Sequence, residues 1–174
     1  MNDLMRPKEG EYAPFYAGYI SLVIGQDLPK ILLGQINAIK EHFEKVGEEN
    51  SKLAYASGKW SQKEVLGHVT DTDRIMTFRA LCFARGEKAL MPGFDQDEYV
   101  VRAKFNAVPL VELLDDFEKS RHALVALMKT IPNDAMLNIG NANGFGVSVR
   151  ALFNIIPGHA EHHLHILKTL YARG

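Results

Sequence analysis

The 174-residue chain contains a single cysteine, Cys82, and this scarcity excludes several kinds of site. An intramolecular disulfide, a CxxC redox pair and a multi-thiolate zinc site each need at least two sulfur atoms. A domain of this length buries enough surface to fold without a disulfide or a structural metal. We therefore expect a protein of the reducing cytoplasm, in which a metal site serves function rather than stability.

Long apolar runs and an excess of one charge are also lacking. No segment reaches about 18 unbroken apolar residues, the length that a membrane span needs, and the first residues show no secretion signal. The formal net charge is −1, whereas binding to nucleic acid needs clustered lysine and arginine side chains. We therefore expect a protein that binds a small-molecule substrate, and neither nucleic acid nor a membrane.

What the sequence does contain is helical periodicity. Apolar residues recur at three- and four-residue spacings over four long stretches, 28–46, 61–86, 109–131 and 148–170. Signals for β-strands are almost absent. Four amphipathic helices in a single domain over residues 1–174 predict an all-α four-helix bundle.

The segments between these helices carry signals of their own. Residues 61–64, Ser-Gln-Lys-Glu, fit a capping box at the start of the second helix. The connection 87–108 is too long to be unstructured in a compact domain, and a second capping signal at 95–98 predicts a short extra helix across the bundle. Because such a connection can cross the bundle, the second and third helices need not be antiparallel neighbours. Residues 133–146 predict an irregular loop or a tight hairpin.

The seven histidines fall into different environments of the predicted helices. His42 and His122 lie among charged residues, which predicts solvent exposure. His159 and His163 instead replace aliphatic residues in the apolar stripe of the fourth helix, and His68 lies on the presumed buried side of the second. An i,i+4 pair projects two imidazole nitrogens in the same direction, with a spacing that one divalent ion can use. The three inward-facing histidines are therefore candidate metal ligands.

Three neutral imidazoles leave coordination positions open, which is typical of a catalytic metal site, and zinc or nickel suits them well. The alternative is that the histidines are core residues bonded to neighbours. His162 is the substitute ligand if the helical phase differs by one residue. Ala160 follows His159, so the helix lacks the glutamate of the HExxH zinc-protease motif. Pro157 and Gly158 predict a bend or a restart of the fourth helix.

Two further residues of the second helix are candidates for the same site. Asp71, one turn after His68, either orients a ligand or a bound water or is a solvated helix residue. Arg79 lies at almost the same angular position as His68, three turns on, and either binds an anionic substrate or pairs with a carboxylate of the bundle. Cys82 lies roughly 21 Å from His68 along the helix axis and is too far away for the same metal sphere.

Several segments together resemble the DinB (DNA-damage-inducible) superfamily, in an order and spacing that extend over nearly the whole chain. The segments that carry the resemblance are residues 60–74, 78–81, 92–97 and 158–164. The resemblance implies a four-helix bundle of up-down-down-up topology and a homodimer. It also implies that a divalent metal is held by His68, His159 and His163, the histidines that periodicity selects.

The resemblance leaves several functions open. Family members look like metal-dependent enzymes, among them transferases and isomerases that use low-molecular-weight thiols and others named as hydrolases. Our leading hypothesis is a thiol-dependent S-transferase, because the three-histidine set lacks a nearby base and a thiol ionises more readily than water. The alternatives are a metal-dependent hydrolase with Asp71, Asp95 or Asp97 as general base, and a non-catalytic, stress-related metal-binding dimer.

Overall fold

A computed structural model describes residues 3–171 of the chain. Within these residues the α-helices are α1 (Ala17–Ser21), α2 (Leu28–Asn50), α3 (Gln62–Ala84), α4 (Gln96–Ala103), α5 (Leu110–Met128) and α6 (Val149–Thr169). The long helices α2, α3, α5 and α6 form the bundle, in which α3 packs against α5 and α6, and α2 packs against the same two helices. The predicted all-α four-helix bundle is confirmed.

Contacts along the helices show their relative directions. Lys63 near the start of α3 donates to the carbonyl of Val108, just before α5, at 2.6 Å, and Asp73 further along α3 pairs with Arg121 further along α5. The helices α3 and α5 therefore run in the same direction. Both α2 and α6 run the opposite way, since α2 pairs with α5 in reverse order and the end of α6 contacts the start of α3. The result is the up-down-down-up order.

The capping signals in the sequence mark the residues at which the observed helices begin. Ser61 and Glu64 form a reciprocal capping box, in which each side chain accepts a hydrogen bond from the backbone N–H of the other residue. The extra helix α4 follows Asp95, whose Oδ1 accepts from the backbone of Asp97 and Glu98. Ser148 caps α6 in the same way. The helix predicted in the long connection is therefore confirmed.

A small sheet lies beside the bundle. Strands β2 (Ile139–Ala142) and β3 (Phe145–Ser148) form an antiparallel hairpin. Of the two alternatives predicted for 133–146, the tight hairpin is therefore the one observed, and its second strand extends to Ser148. Asn143 and Gly144 in its turn have φ of 54° and 85°, as two-residue hairpin turns require. Strand β1 (Leu90–Met91) adds to β2 in parallel and was not predicted.

The N-terminal segment covers part of α6. A short 3-10 helix (Pro14–Tyr16) leads into α1, which packs on α6. The contact is so close that a Cβ atom added at Gly158 would lie 2.1 Å from the backbone oxygen of Tyr19. The helix α6 continues through Pro157, so of the predicted alternatives, a bend or a restart, the restart does not occur.

The apolar faces of the four long helices fill the core. Each helix contributes one phenylalanine that is almost completely buried, namely Phe43, Phe83, Phe117 and Phe153. Within the described part of the chain, no helix has an apolar stretch long enough to cross a bilayer.

Candidate metal centre

Three histidines come together where α3 faces α6. The Nε2 atom of His159 on α6 lies 3.1 Å from Nε2 of His68 on α3 and 3.1 Å from Nε2 of His163, one turn further along α6. Nitrogen atoms of all three rings lie within 4.8 Å of one another, and residues 3–171 contain no second cluster of this kind. The structure brings together the three residues that periodicity selected, and their role as ligands stays a prediction. We call these residues the histidine triad.

The spacing of the triad nitrogens suits a cation better than hydrogen bonds among the rings. A neutral imidazole nitrogen either donates one hydrogen bond or accepts one. The Nε2 atom of His159 lies 3.1 Å from two ring nitrogens and can satisfy only one of them in this way. Three nitrogens bound to one ion at about 2.0–2.1 Å would lie roughly 3.0–3.4 Å apart. The donor set therefore fits a divalent metal ion, without selecting zinc or nickel.

Burial keeps the triad neutral at physiological pH. It lowers the pKa of His68 to about 4. Burial also lowers the pKa of His163 to about 3, with smaller contributions from His68 and His162. For His159 burial, followed by the neighbouring histidines, holds the pKa well below its usual value. Neutral imidazoles keep the lone pairs that a metal ion needs.

Aromatic side chains hold the rings of the triad in place. The ring of Trp60 lies 4.7 Å from that of His68, and the ring of Tyr19 lies 5.3 Å from that of His159. The Nδ1 atoms of His159 and His163 are buried and have no hydrogen-bond partner among the described residues. The orientation of these two rings therefore depends on packing, which for His159 includes Tyr19 on α1.

A cleft of about 270 Å³ reaches the triad at His68 and His159. Its walls come from the N-terminal segment, α3, the loop after β1 and the β2–β3 hairpin, and no Asp or Glu side chain lines it. The aromatic residues of these walls are Phe15, Tyr16, Tyr19, Phe94 and Phe145. A larger cavity of about 720 Å³, between the start of α2 and the end of α5, contains none of the triad.

Close approach of two loops shapes this cleft. A Cβ atom added at Gly93, after β1, would lie 2.6 Å from the Oδ1 atom of Asn143 in the hairpin turn. Sequence reasoning predicted the hairpin but not its place in the cleft. It missed the walls formed by residues 14–21 and 90–94, because these residues lie outside the four periodic stretches. The run of aromatic residues at 15–19 was the available signal.

Thr72 contributes a polar group to the floor of the cleft. It lies one turn after His68 on α3, and its hydroxyl oxygen is buried without a hydrogen-bond partner among the described residues. The i,i+4 spacing from His68 could have identified it, since both residues lie on the buried face of one helix.

The two other candidates from α3 are placed differently. Arg79 is only 4% exposed and lines the cleft together with His68 and His159. Asp71 is half-buried and lies 3.8 Å from Arg74, and no described contact joins it to the triad or the cleft. Burial raises the pKa of Asp71, although Arg74 opposes the shift. The catalytic role of Asp71 stays a prediction.

The remaining histidines differ partly from expectation. His42 is partly buried and its Nε2 lies 2.7 Å from Oε1 of Gln62, so the prediction that it is a solvated surface residue was wrong. The periodicity around it shows charged neighbours but not the start of α3 that covers it. His122, His162 and His165 are exposed, which confirms the prediction for His122.

Sequence comparison links the chain to a known family. The sequence profile of the DinB superfamily matches residues 32–167. The protein OB0413 of Oceanobacillus iheyensis, which carries the name of a metal-dependent hydrolase, is 22% identical over 134 residues. This match covers 76% of each chain. The region that matches the family profile spans the positions of all three histidines of the triad.

A solved structure has the same fold. YfiT from Bacillus subtilis, described as a probable metal-dependent hydrolase with an unusual four-helix bundle topology, superposes with a TM-score of 0.76. The match covers 98% of this chain and 97% of YfiT at 14% sequence identity. At this identity the likeness concerns the fold alone.

Proposed function

We propose, from the premise that the chain belongs to the DinB superfamily, that it is a divalent-metal-dependent hydrolase of a small ester or amide. The observation that carries the proposal is the histidine triad at the floor of an aromatic-walled cleft. Three ligands from the protein leave coordination positions for substrate or water, as in catalytic sites. The hydrolase names of OB0413 and YfiT support hydrolysis as the reaction.

His68, His159 and His163 would hold the metal ion. When bound, a divalent ion supplies Lewis acidity that polarises a carbonyl group and lowers the pKa of a water molecule. Thr72 lines the cleft one turn from His68, and its buried hydroxyl, which has no partner among the described residues, would orient a substrate or water by a hydrogen bond. The aromatic side chains make part of the cleft lining apolar, and a lower local dielectric strengthens polar interactions there.

A second candidate function is the thiol-dependent transfer that the sequence suggested. The specific observation in its favour is that no carboxylate lines the cleft. Hydrolysis benefits from a general base, whereas a thiol ionises more easily and needs less help. Asp71 supplies a base for hydrolysis only if a water molecule bridges it to the cleft.

Metal analysis of the untagged protein tests the ligand set. We expect about one zinc or nickel ion per chain in the wild type and in His122→Ala, whose histidine is exposed, and none in His163→Ala. Trp60, the only tryptophan of the chain, contacts His68, so its fluorescence should be quenched when cobalt(II) is added to metal-free wild type. Full metal content in His163→Ala would show that the ligand assignment is wrong.

A panel of nitrophenyl esters and anilides, assayed with and without added thiol, tests the reaction. We expect turnover that needs metal but no thiol, that persists in His122→Ala and that is lost in His163→Ala. Turnover only in the presence of a thiol would favour the transferase instead. Equal turnover in His163→Ala would contradict catalysis at the triad.

A further inference from the structure

The buried lysine and arginine side chains differ in whether they pair with a carboxylate. In the described part of the chain, four Lys or Arg side chains are buried, namely Lys63, Arg79, Arg121 and Arg150. Three of them pair with a carboxylate: Lys63 with Glu48, Arg121 with Asp73, and Arg150 with Glu11. Arg79 has no such partner among residues 3–171. A buried charge destabilises a protein unless it is paired, so the exception points to a partner outside the chain.

The contacts that Arg79 does make are with neutral groups. Its Nη2 donates to the carbonyl of Pro92 at 2.6 Å, and its Nη1 lies 3.6 Å from the sulfur of Met76. These contacts use two of the five N–H groups of a guanidinium. The Pro92 carbonyl also holds the side chain in place, so the remaining donors are pre-positioned.

The position of Arg79 connects it to the triad. It lines the same cleft as His68 and His159, although its Cα lies about 16 Å from that of His68 along the axis of α3. Helical side chains tilt toward the N-terminus, which brings the guanidinium back toward the triad. A ligand that reaches both Arg79 and the triad therefore has its charged group several bonds away from the group that lies at the triad. Between the two ends it meets the aromatic walls formed by residues such as Tyr16 and Phe94.

We propose that Arg79 binds a carboxylate at one end of the substrate, so that the cleft takes a small monoanion with an apolar or aromatic body. The inference rests on the proposed function for the reacting end of the molecule. The anion site itself is inferred from Arg79 and the cleft alone. A guanidinium and a carboxylate form short, charge-assisted and often bidentate hydrogen bonds. The sequence left open whether Arg79 pairs with a bundle carboxylate or with a substrate, and the absence of a pairing carboxylate among residues 3–171 favours the substrate.

A matched pair of ligands isolates the charge. 3-Phenylpropionate and 3-phenylpropionamide have the same shape, and calorimetric titration gives the affinity of each for the full chain. We expect the wild type to bind the acid about tenfold tighter than the amide, both with metal and after treatment with a chelator. Equal affinities, or no binding of either ligand at millimolar concentration, would overturn the proposal.

Variants separate anion binding from support of the loop at Pro92. Arg79→Gln should abolish the preference for the acid while leaving the affinity for the amide, and Arg79→Lys should keep part of the preference. The control Arg102→Gln, which removes an exposed arginine of α4, should behave like the wild type. If Arg79→Gln lowers the affinities for the acid and the amide equally, the residue only supports the loop at Pro92 and the proposal fails.

Measurements with metal and after treatment with the chelator distinguish failure of the anion-site proposal from failure of the proposed function. A preference that disappears without metal but persists in Arg79→Gln would place the carboxylate at the triad, and Arg79 would not be the anion site. A preference that persists in a protein without metal-dependent turnover would support the anion site and contradict only the hydrolase.

Discussion

Two polar regions lie inside the bundle, and they are built in opposite ways. In the first, Asp73 on α3 and Arg121 on α5 form an ion pair with 2.8 Å between Oδ2 and Nε, and both side chains are almost completely buried. Gln35 on α2 accepts a hydrogen bond from Arg121 at 2.6 Å and donates to the Pro157 carbonyl on α6 at 2.9 Å. This region, which we call the charge network, joins the four long helices and balances its own charges.

The histidine triad has no such internal balance. Its three imidazoles are alike and neutral, so no opposite charges pair within it. We infer from the comparison that buried polar groups have two roles here. The charge network would fix how the helices pack, whereas the triad and Arg79 would bind a ligand. The two regions meet on α6, where Pro157 lies two residues before His159.

The largest expected difference between the regions is in stability. Asp73→Asn leaves the guanidinium of Arg121 buried without a counter-charge, which should lower the free energy of unfolding by about 3–5 kcal/mol. His163→Gln in the metal-free protein leaves no buried charge and should cost much less. Urea unfolding at about pH 8.5, where the Asp73 carboxylate is ionised, measures both. Asp116→Asn is the control, because its carboxylate is half-exposed and pairs with Arg74 at the surface.

The charge network can be tested further by replacing both partners. The double variant Asp73→Leu with Arg121→Met should lie closer to the wild type than Asp73→Asn does, since no unpaired charge remains. If His163→Gln destabilises the metal-free protein as much as Asp73→Asn does, the contrast between the two regions is wrong.

A smaller effect is expected at Gly158, between the two regions on α6. Gly158→Ala pushes a Cβ atom against the backbone of Tyr19, so α1 must shift, and the free energy of unfolding should fall by about 1–3 kcal/mol. Because Tyr19 packs on His159, metal affinity should fall as well. Gly34→Ala on α2 is the matched control: its Cβ would meet nothing within 4 Å, and the change should stabilise the helix. Equal effects of the two substitutions would contradict the close contact between α1 and α6.

A further expected effect is a difference in pH dependence between the two regions. Below pH 6.5 the unfolded chain protonates histidines that stay neutral when folded, because burial lowers the pKa of His68 to about 4 and of His163 to about 3. The metal-free protein should therefore lose about 1.4 kcal/mol per pH unit for each such histidine as the pH falls through this range.

Asp73 contributes to the pH dependence of the unfolding free energy with the opposite sign in the same pH range. Burial raises its pKa to about 7, against the effect of Arg121, so the folded protein keeps a proton that the unfolded chain releases, and the free energy of unfolding falls as the pH rises from about 4 to 7. His163→Gln should flatten the dependence of the unfolding free energy on pH between 4.5 and 6.5, and Asp73→Asn should steepen it. Urea unfolding at several pH values measures the slopes. Slopes that do not differ among the wild type and the two variants would disprove both assignments.

Much of the fold was predictable because its signals are local. The capping box at Ser61 and the cap at Asp95 mark helix starts within a few residues, and apolar spacing identifies the four long helices. The prediction for His42 failed because the start of α3, which covers it, is close only in the folded chain. The strand β1 and helix α1 were missed because each has few residues and no periodicity.

The sequence by itself determined the helices and the helix faces on which the triad residues lie, since residues four apart on one helix share a face whatever packs against it. Only the tertiary structure decided which charges are paired. Asp73 and Arg121 are 48 positions apart in sequence, and they meet because α3 and α5 run side by side in the same direction. The isolation of Arg79 is likewise a tertiary property. Whether a buried charge has a partner depends on which helices and loops surround it, and that is fixed by packing rather than by local spacing.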